Sequence, residues 1–207
     1  MADPTGWEIA GQFANMMTAG AAAFAALCAW RGLSSWRQEL VGRRKALLAE
    51  EVLSGFYQAS DSFKAIRSPG SFPQSEGKNR ERSDRETAAQ SLALDAHYVP
   101  IARIEKHSEL FGNLTAKRYS MKALFGDQVD APFDTINQVL HEIQFAAAMM
   151  MREAKRGERA TASAERWEKW EATIWYGGED RDEIAESVEA AVQQIEHICG
   201  PFLEARK

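Results

Sequence analysis

From Ile9 to Trp30 the chain runs for 22 residues without a charge, IAGQFANMMTAGAAAFAALCAW. At about 1.5 Å per helical residue this is roughly 33 Å, enough to cross a hydrocarbon core of about 30 Å. Trp7 and Trp30 bracket the run, where an interfacial aromatic belt would hold them. Asp3 and Glu8 precede it, whereas Arg31, Arg37, Arg43, Arg44 and Lys45 follow, against the acid Glu39. This asymmetry predicts a transmembrane helix over 9–30, with residues 1–8 outside and everything after Trp30 in the cytoplasm. A cleaved signal peptide fits poorly, because the run is long and its basic flank follows it rather than leading it. A soluble or interfacial helix is the competing expectation, since alanine dominates the run and Gln12, Asn15 and Thr18 interrupt it. Those three polar residues lie three apart, so they share one face. Small residues at Gly11, Ala19, Ala22 and Ala26 run beside them, and the combination suits a span-to-span interface in lipid.

The rest of the pattern is helical. No proline separates Trp30 from the next periodic stretch, so the span is expected to continue as a stalk helix over 31–67. Leu48, Val52, Phe56, Ala59, Phe63 and Ile66 recur at three- and four-residue spacing, an amphipathic or coiled-coil seam. Pro69 ends it. Residues 68–85 carry two prolines, two glycines and dense charge, and read as a flexible linker. A second pattern follows through Ala89, Leu92, Ala96, Val99, Arg103, His107, Leu110 and Leu114, with Pro100 expected to split it near Tyr98. A shorter segment ends at Gly126, placed to cap it, and Asp130 stands as an N-cap before Ala131 and Pro132. Phe133, Ile136, Leu140, Ile143, Ala147 and Met150 form a clean helical face. Trp167, Trp170 and Ile174 continue the pattern until Gly177 and Gly178. A last helix begins beyond the acidic run Glu179, Asp180, Asp182, Glu183 and carries Ile184, Val188, Ala191, Ile195, Ile198 and Phe202 on one face. No stretch alternates long enough for a strand. The expected fold is all-α: an N-terminal transmembrane helix feeding an antiparallel cytoplasmic bundle of about five helices, in which 86–207 packs with 40–66.

Composition narrows the class without naming a chemistry. The 207 residues are 45% apolar, enough for a sizeable core, and the formal charge of −5 argues against a general nucleic-acid binder. Two cysteines, Cys28 and Cys199, make no disulfide framework and read as buried small apolar residues.

Candidate chemistry is sparse. A di-iron bundle would need Glu-x-x-His pairs on facing helices, and His97, His107, His141 and His197 supply none. No CxxC, Walker A, GxGxxG or GxSxG spacing occurs, so no catalytic, cofactor-binding or metal residue is assigned and no cofactor is expected. Asp84, Glu86 and Asp95 read as helix-start and solvated charges. Two clusters rise above this background. Arg31, Arg37, Arg43, Arg44 and Lys45 could hold anionic lipid headgroups, beyond setting topology. Trp175 and Tyr176, at the end of an aromatic group with Trp167 and Trp170, could form a partner surface, whereas the latter two fit a buried stripe.

The stretch WRQELVGRRKALLAEEVLSGFYQASDSFKAIRSPGSF, with YVPIARIEKHSELFGNL, KALFGDQVDAPFD and the ending IEHICGPFL, resembles an uncharacterised family of bacterial single-span membrane proteins. The resemblance covers most of the chain from Trp36 onward and implies a bacterial inner-membrane setting, with no activity or site residue to carry over. The leading expectation is thus a membrane-anchored, non-enzymatic helical protein whose bundle binds another protein or a second copy of itself. A ligand sensor or enzyme with a core site near His97, Tyr98, Arg103, His107 and His141 is the alternative. A third expectation is a membrane-active effector oligomerising through Gln12, Asn15 and Thr18.

Overall fold

A computed structural model describes residues 6–70, 72–157, 162–176 and 181–204, with side chains from residue 16 onward except 35 and 74. Trp7, Gln12, Asn15, the Gly177–Gly178 pair and the acids Glu179 and Asp180 therefore lie outside the described side chains. The chain divides into two compact units, 1–46 and 47–207. Helix α1, Gly6–Ile66, supplies the whole described part of the first and the opening of the second. In the first unit every described side chain from Met16 to Arg44 is exposed, Cys28 included, so that residue is not the buried one its neighbours in sequence suggested. Local bonds decorate the helix: Arg43 donates to Glu39 one turn back at 3.0 Å, and the Ser34 hydroxyl to the Arg31 carbonyl at 2.9 Å.

The second unit is all-helical among its described residues. After α1 come the short α2 (Pro73–Glu76), α3 (Ala88–Lys106), α4 (Ser108–Phe125), α5 (Asp130–Arg156), α6 (Ala164–Ile174) and α7 (Glu183–Glu204). The periodic faces become the core. Val52, Phe56, Ala59, Phe63 and Ile66 of α1 are buried, as are Phe133, Ile136, Ile143, Ala147 and Met150 of α5 and Ile184, Val188, Ala191 and Ile195 of α7. The Phe56 ring meets Phe133 edge-on at 5.0 Å, and Phe63 meets Phe111 at 5.2 Å, tying α1 to α5 and α4. Each such side chain contributes about 1.5–3 kcal/mol by leaving water. α4 stops where Gly126 takes φ +85° and donates its N–H back to the Lys122 carbonyl, a conformation that favours glycine.

Three expectations are corrected. α3 does not split at Pro100. The ring lies inside a continuous helix and is fully buried, and packing outweighs the one lost backbone bond. The break falls at His107, between α3 and α4. Asp130 is not the N-cap of α5: its N–H closes a 3-10 turn, Asp127–Val129, that leads into the helix, and its carboxylate holds Arg118 and Lys122 of α4. The buried face of α3 is also displaced, for Leu92 is exposed while Leu94 and Asp95 are buried. Within the stretch expected to be a flexible linker, the described residues carry α2, a 3-10 turn (Gly77–Asn79) and a buried guanidinium.

Three arginines tie distant segments together. Arg103 of α3 reaches the end of α1, donating to the carbonyls of Ala65, Ile66, Ser68 and Gly70 and pairing with Glu76 at 2.7 Å. Arg80 is 6% exposed and is held by Asp95 at 3.0 Å and, through two nitrogens, by Glu86 at 2.9 and 2.7 Å. Gly77 makes this approach possible, because a Cβ there would stand 2.7 Å from the Asp95 carbonyl oxygen. Arg67, 2% exposed, uses every guanidinium nitrogen. Its Nε and one terminal nitrogen donate to the carbonyls of Thr173, Ala172 and Trp175 at the end of α6, and the other chelates Asp182 at 2.8 and 2.9 Å. Asp182 in turn accepts from the Ala185 N–H at the start of α7.

Removing Arg67 leaves a shielded carboxylate and three helix-end carbonyls without their donor. Arg67→Met is expected to destabilise the second unit by about 3–5 kcal/mol, with Arg67→Lys intermediate because one ammonium cannot reproduce the fork. Denaturant unfolding of the full chain in mild detergent checks this; an unchanged midpoint for Arg67→Met would refute it.

Candidate functional site

Helices α5, α6 and α7 border an open groove of about 1160 Å³. Amphipathic periodicity builds it: each helix gives its aliphatic stripe to the core and leaves the adjoining face toward the groove. The walls are apolar where Met149, Trp170, Trp175 and Ile184 lie, and the exposed Phe145 extends them. Arg152, Arg166 and Lys169 share the lining with Glu142, Glu165 and Glu168, so neither sign of charge prevails. Several polar groups here already serve the helices. Thr173 and Ser187 donate to carbonyls one turn back, Asp182 is bound by Arg67, and Glu153 accepts from Arg156 and from the Ala162 N–H. Among the described lining residues there is no histidine or cysteine. The groove offers an amphipathic surface with aromatic walls. A smaller groove of about 430 Å³ beside α2 and α3 has Glu76, Glu105 and Lys106 in its lining.

The residues of the alternative core site are not brought together in either groove. The Tyr98 hydroxyl donates to Glu105 at 3.1 Å, and Arg103 is occupied by the end of α1. His107 Nδ1 lies 3.2 Å from the Ser62 hydroxyl, and His141 is exposed with Nδ1 2.7 Å from the Asn137 carbonyl. His97 is the exception in character. It is half-buried, meets Trp167 edge-on at 5.6 Å, and its buried Nδ1 has no hydrogen-bond partner. Burial holds its imidazole below the ordinary value.

Electrostatics elsewhere is structural. The Arg80 guanidinium holds the Glu86 carboxyl down at about 2, and Arg103 lowers Glu76 in the same way. Asp95, expected as a solvated charge, is 5% exposed between Arg80 and Arg82. Cys199 is buried, and desolvation pushes its thiol up to about 11, far from a nucleophile. No group of three or more metal-binding side chains occurs among the described residues.

Of the two clusters singled out in the sequence, Trp175 is half-buried against the core and Tyr176 is exposed. The Tyr176 N–H donates to the Arg67 carbonyl at 2.6 Å and the Trp175 carbonyl accepts from Arg67, so this pair belongs to the Arg67 hub, and Trp175 also lines the groove. Arg31, Arg37, Arg43 and Arg44 are all exposed on α1, and Lys45 is half-buried. Of the span trio, Thr18 is exposed, and Gln12 and Asn15 lie outside the described side chains. The groove residues Phe145, Met149 and Arg152 went unnoticed in the sequence, although an exposed phenylalanine on the polar side of α5 was a usable signal. Comparison with protein-family models, with curated proteins and with solved structures returns no match.

His97 sets a pH dependence. A base with a lowered folded-state pKa binds fewer protons folded than unfolded, so stability holds above about pH 6.5 and falls as pH drops below it. The melting temperature of the full chain is expected to decline between pH 7 and pH 5.5, and His97→Phe to flatten that decline. Identical profiles for the two proteins would contradict the assignment.

Proposed function

We propose that this chain is a membrane-anchored, non-enzymatic helical scaffold, held by residues 9–30 in a bacterial inner membrane with its second unit in the cytoplasm. The observation that carries the reading is the exposed apolar surface of α1. Met16, Phe24 and Trp30 are each at least 70% exposed, with Met17 and Leu27 between them. The stretch from residue 16 onward contains a window long and apolar enough to cross a bilayer, none of it buried within the chain. An apolar surface on all sides of one helix is unfavourable in water at about 25 cal/mol per Å². Lipid removes the whole cost at once while the backbone bonds stay inside the helix. Arg31, Arg37, Arg43 and Arg44 support the orientation and can each gain roughly 1 kcal/mol from anionic headgroups. The groove along α5–α7, with aromatic walls and mixed charge, is where this reading seats a protein partner.

An alkaline carbonate wash of membranes tests the anchor. The full chain is expected to stay in the pellet, and a version beginning at Ser34 to be soluble. A full chain released by the wash would overturn the reading.

A further inference from the structure

One stripe runs along α1 in a seven-residue repeat. Its first and fourth positions are Ala19, Ala22, Ala26 and Ala29, then Leu33, Trp36 and Leu40, and every one of these side chains is exposed. The composition of the stripe inverts where the uncharged run ends at Trp30. Within the run the stripe is alanine while the bulky Met17, Phe24 and Leu27 occupy the outward positions of the repeat. Past it the stripe is large and apolar, and the outward positions are mostly polar: Ser34, Gln38 and Lys45. Helices pack in lipid through small residues and pack in water through large apolar ones. A single seam that changes in this sense at the membrane boundary serves helix pairing on both sides of it.

Charge selects the partner. Glu39 falls at the position before the last seam leucine, and Arg44 five residues later falls at the complementary flanking position of the next turn. In a parallel, in-register pair those two positions meet across the interface, so Glu39 of each copy reaches Arg44 of the other. In an antiparallel pair each would meet its own like charge. The seam ends at Arg43, a cation where the next apolar residue would fall; Arg43 keeps its bond to Glu39 within the chain at 3.0 Å. We propose that α1 pairs with a second copy of this chain as a parallel dimer through the stripe from Ala19 to Leu40. The proposal rests on the anchored reading for its strength: three heptads form a short seam, and a shared bilayer supplies the common orientation and the effective concentration it needs.

The test is disulfide trapping of the full chain in membranes, on a Cys28→Ala background that leaves only the buried Cys199. Facing seam positions in a parallel pair bring like residues within disulfide reach, while outward positions do not. Leu33→Cys and Leu40→Cys are each expected to give a covalent dimer on oxidation, and Gln38→Cys none. Glu39→Lys should reduce trapping at residue 33, and adding Arg44→Glu should restore it. Equal trapping at 33, 38 and 40, or monomer alone in a chain that resists the carbonate wash, overturns the dimer and leaves the anchor standing. A chain that washes off yet traps at 33 and 40 but not 38 supports the dimer and removes the anchor.

Discussion

The second unit depends on one guanidinium. Arg67 is the first residue past α1, and its five donors close the carbonyl end of α6 and the acid at the head of α7. Each of those groups would otherwise be an unsatisfied helix terminus near the core. Because Asp182 bonds both Arg67 and the Ala185 N–H, the start of α7 is capped only as well as Asp182 is held. The Arg67 carbonyl accepting from Tyr176 adds a further tie on the same segment. A buried ion pair of this kind gains little over an apolar replacement of the whole cluster, but losing one member is costly. What the cluster adds is geometry: it fixes where three helix ends meet, and hence the α6–α7 side of the groove.

The same logic explains how 72–85 gains fixed partners despite a linker's composition. Proline, glycine and charge break helices, and here they do so, since α2 is four residues long. The partners are distant side chains and carbonyls: Arg80 sits between Asp95 and Glu86, and Arg103 bridges Glu76 to the carbonyls beyond α1. These contacts reach across 6 to 38 residues of sequence. Nothing in local composition distinguishes a charge that will be chelated from one that will stay solvated.

That contrast measures how legible the molecule was. The seams of α1, α5 and α7 could be read because burial repeats at a helical period within each segment, and Phe56, Ile143 and Ile195 are all fully buried. The capping glycine Gly126 was legible because its role is local. Asp95 and Arg80 were not, for each looks solvated until the other is placed beside it. Pro100 misled for a related reason: its local penalty is real, but Val99 and Pro100 are both buried and packing prevails. The candidate site was less legible still. Phe145, Trp170 and Ile184 lie on three separate helices and share no motif, and the groove exists only once those helices are assembled.

Helix α1 carries two kinds of hydrophobicity, and the difference bears on what surrounds each part. In the second unit its buried apolar residues keep to one stripe, Val52 to Ile66, which the bundle covers, while Leu47 and Tyr57 stay exposed. A stripe asks for a neighbour on one side. In the first unit the large side chains Met17, Phe24, Leu27 and Trp30 share one broad side of the axis, and alanine fills most of the remaining circumference. One protein neighbour cannot cover such a surface, whereas a bilayer covers all of it. A second copy then needs only the narrow alanine side, leaving the larger side chains to the lipid. On this argument the anchor and the dimer seam do not compete for the same residues, and one helix can serve both.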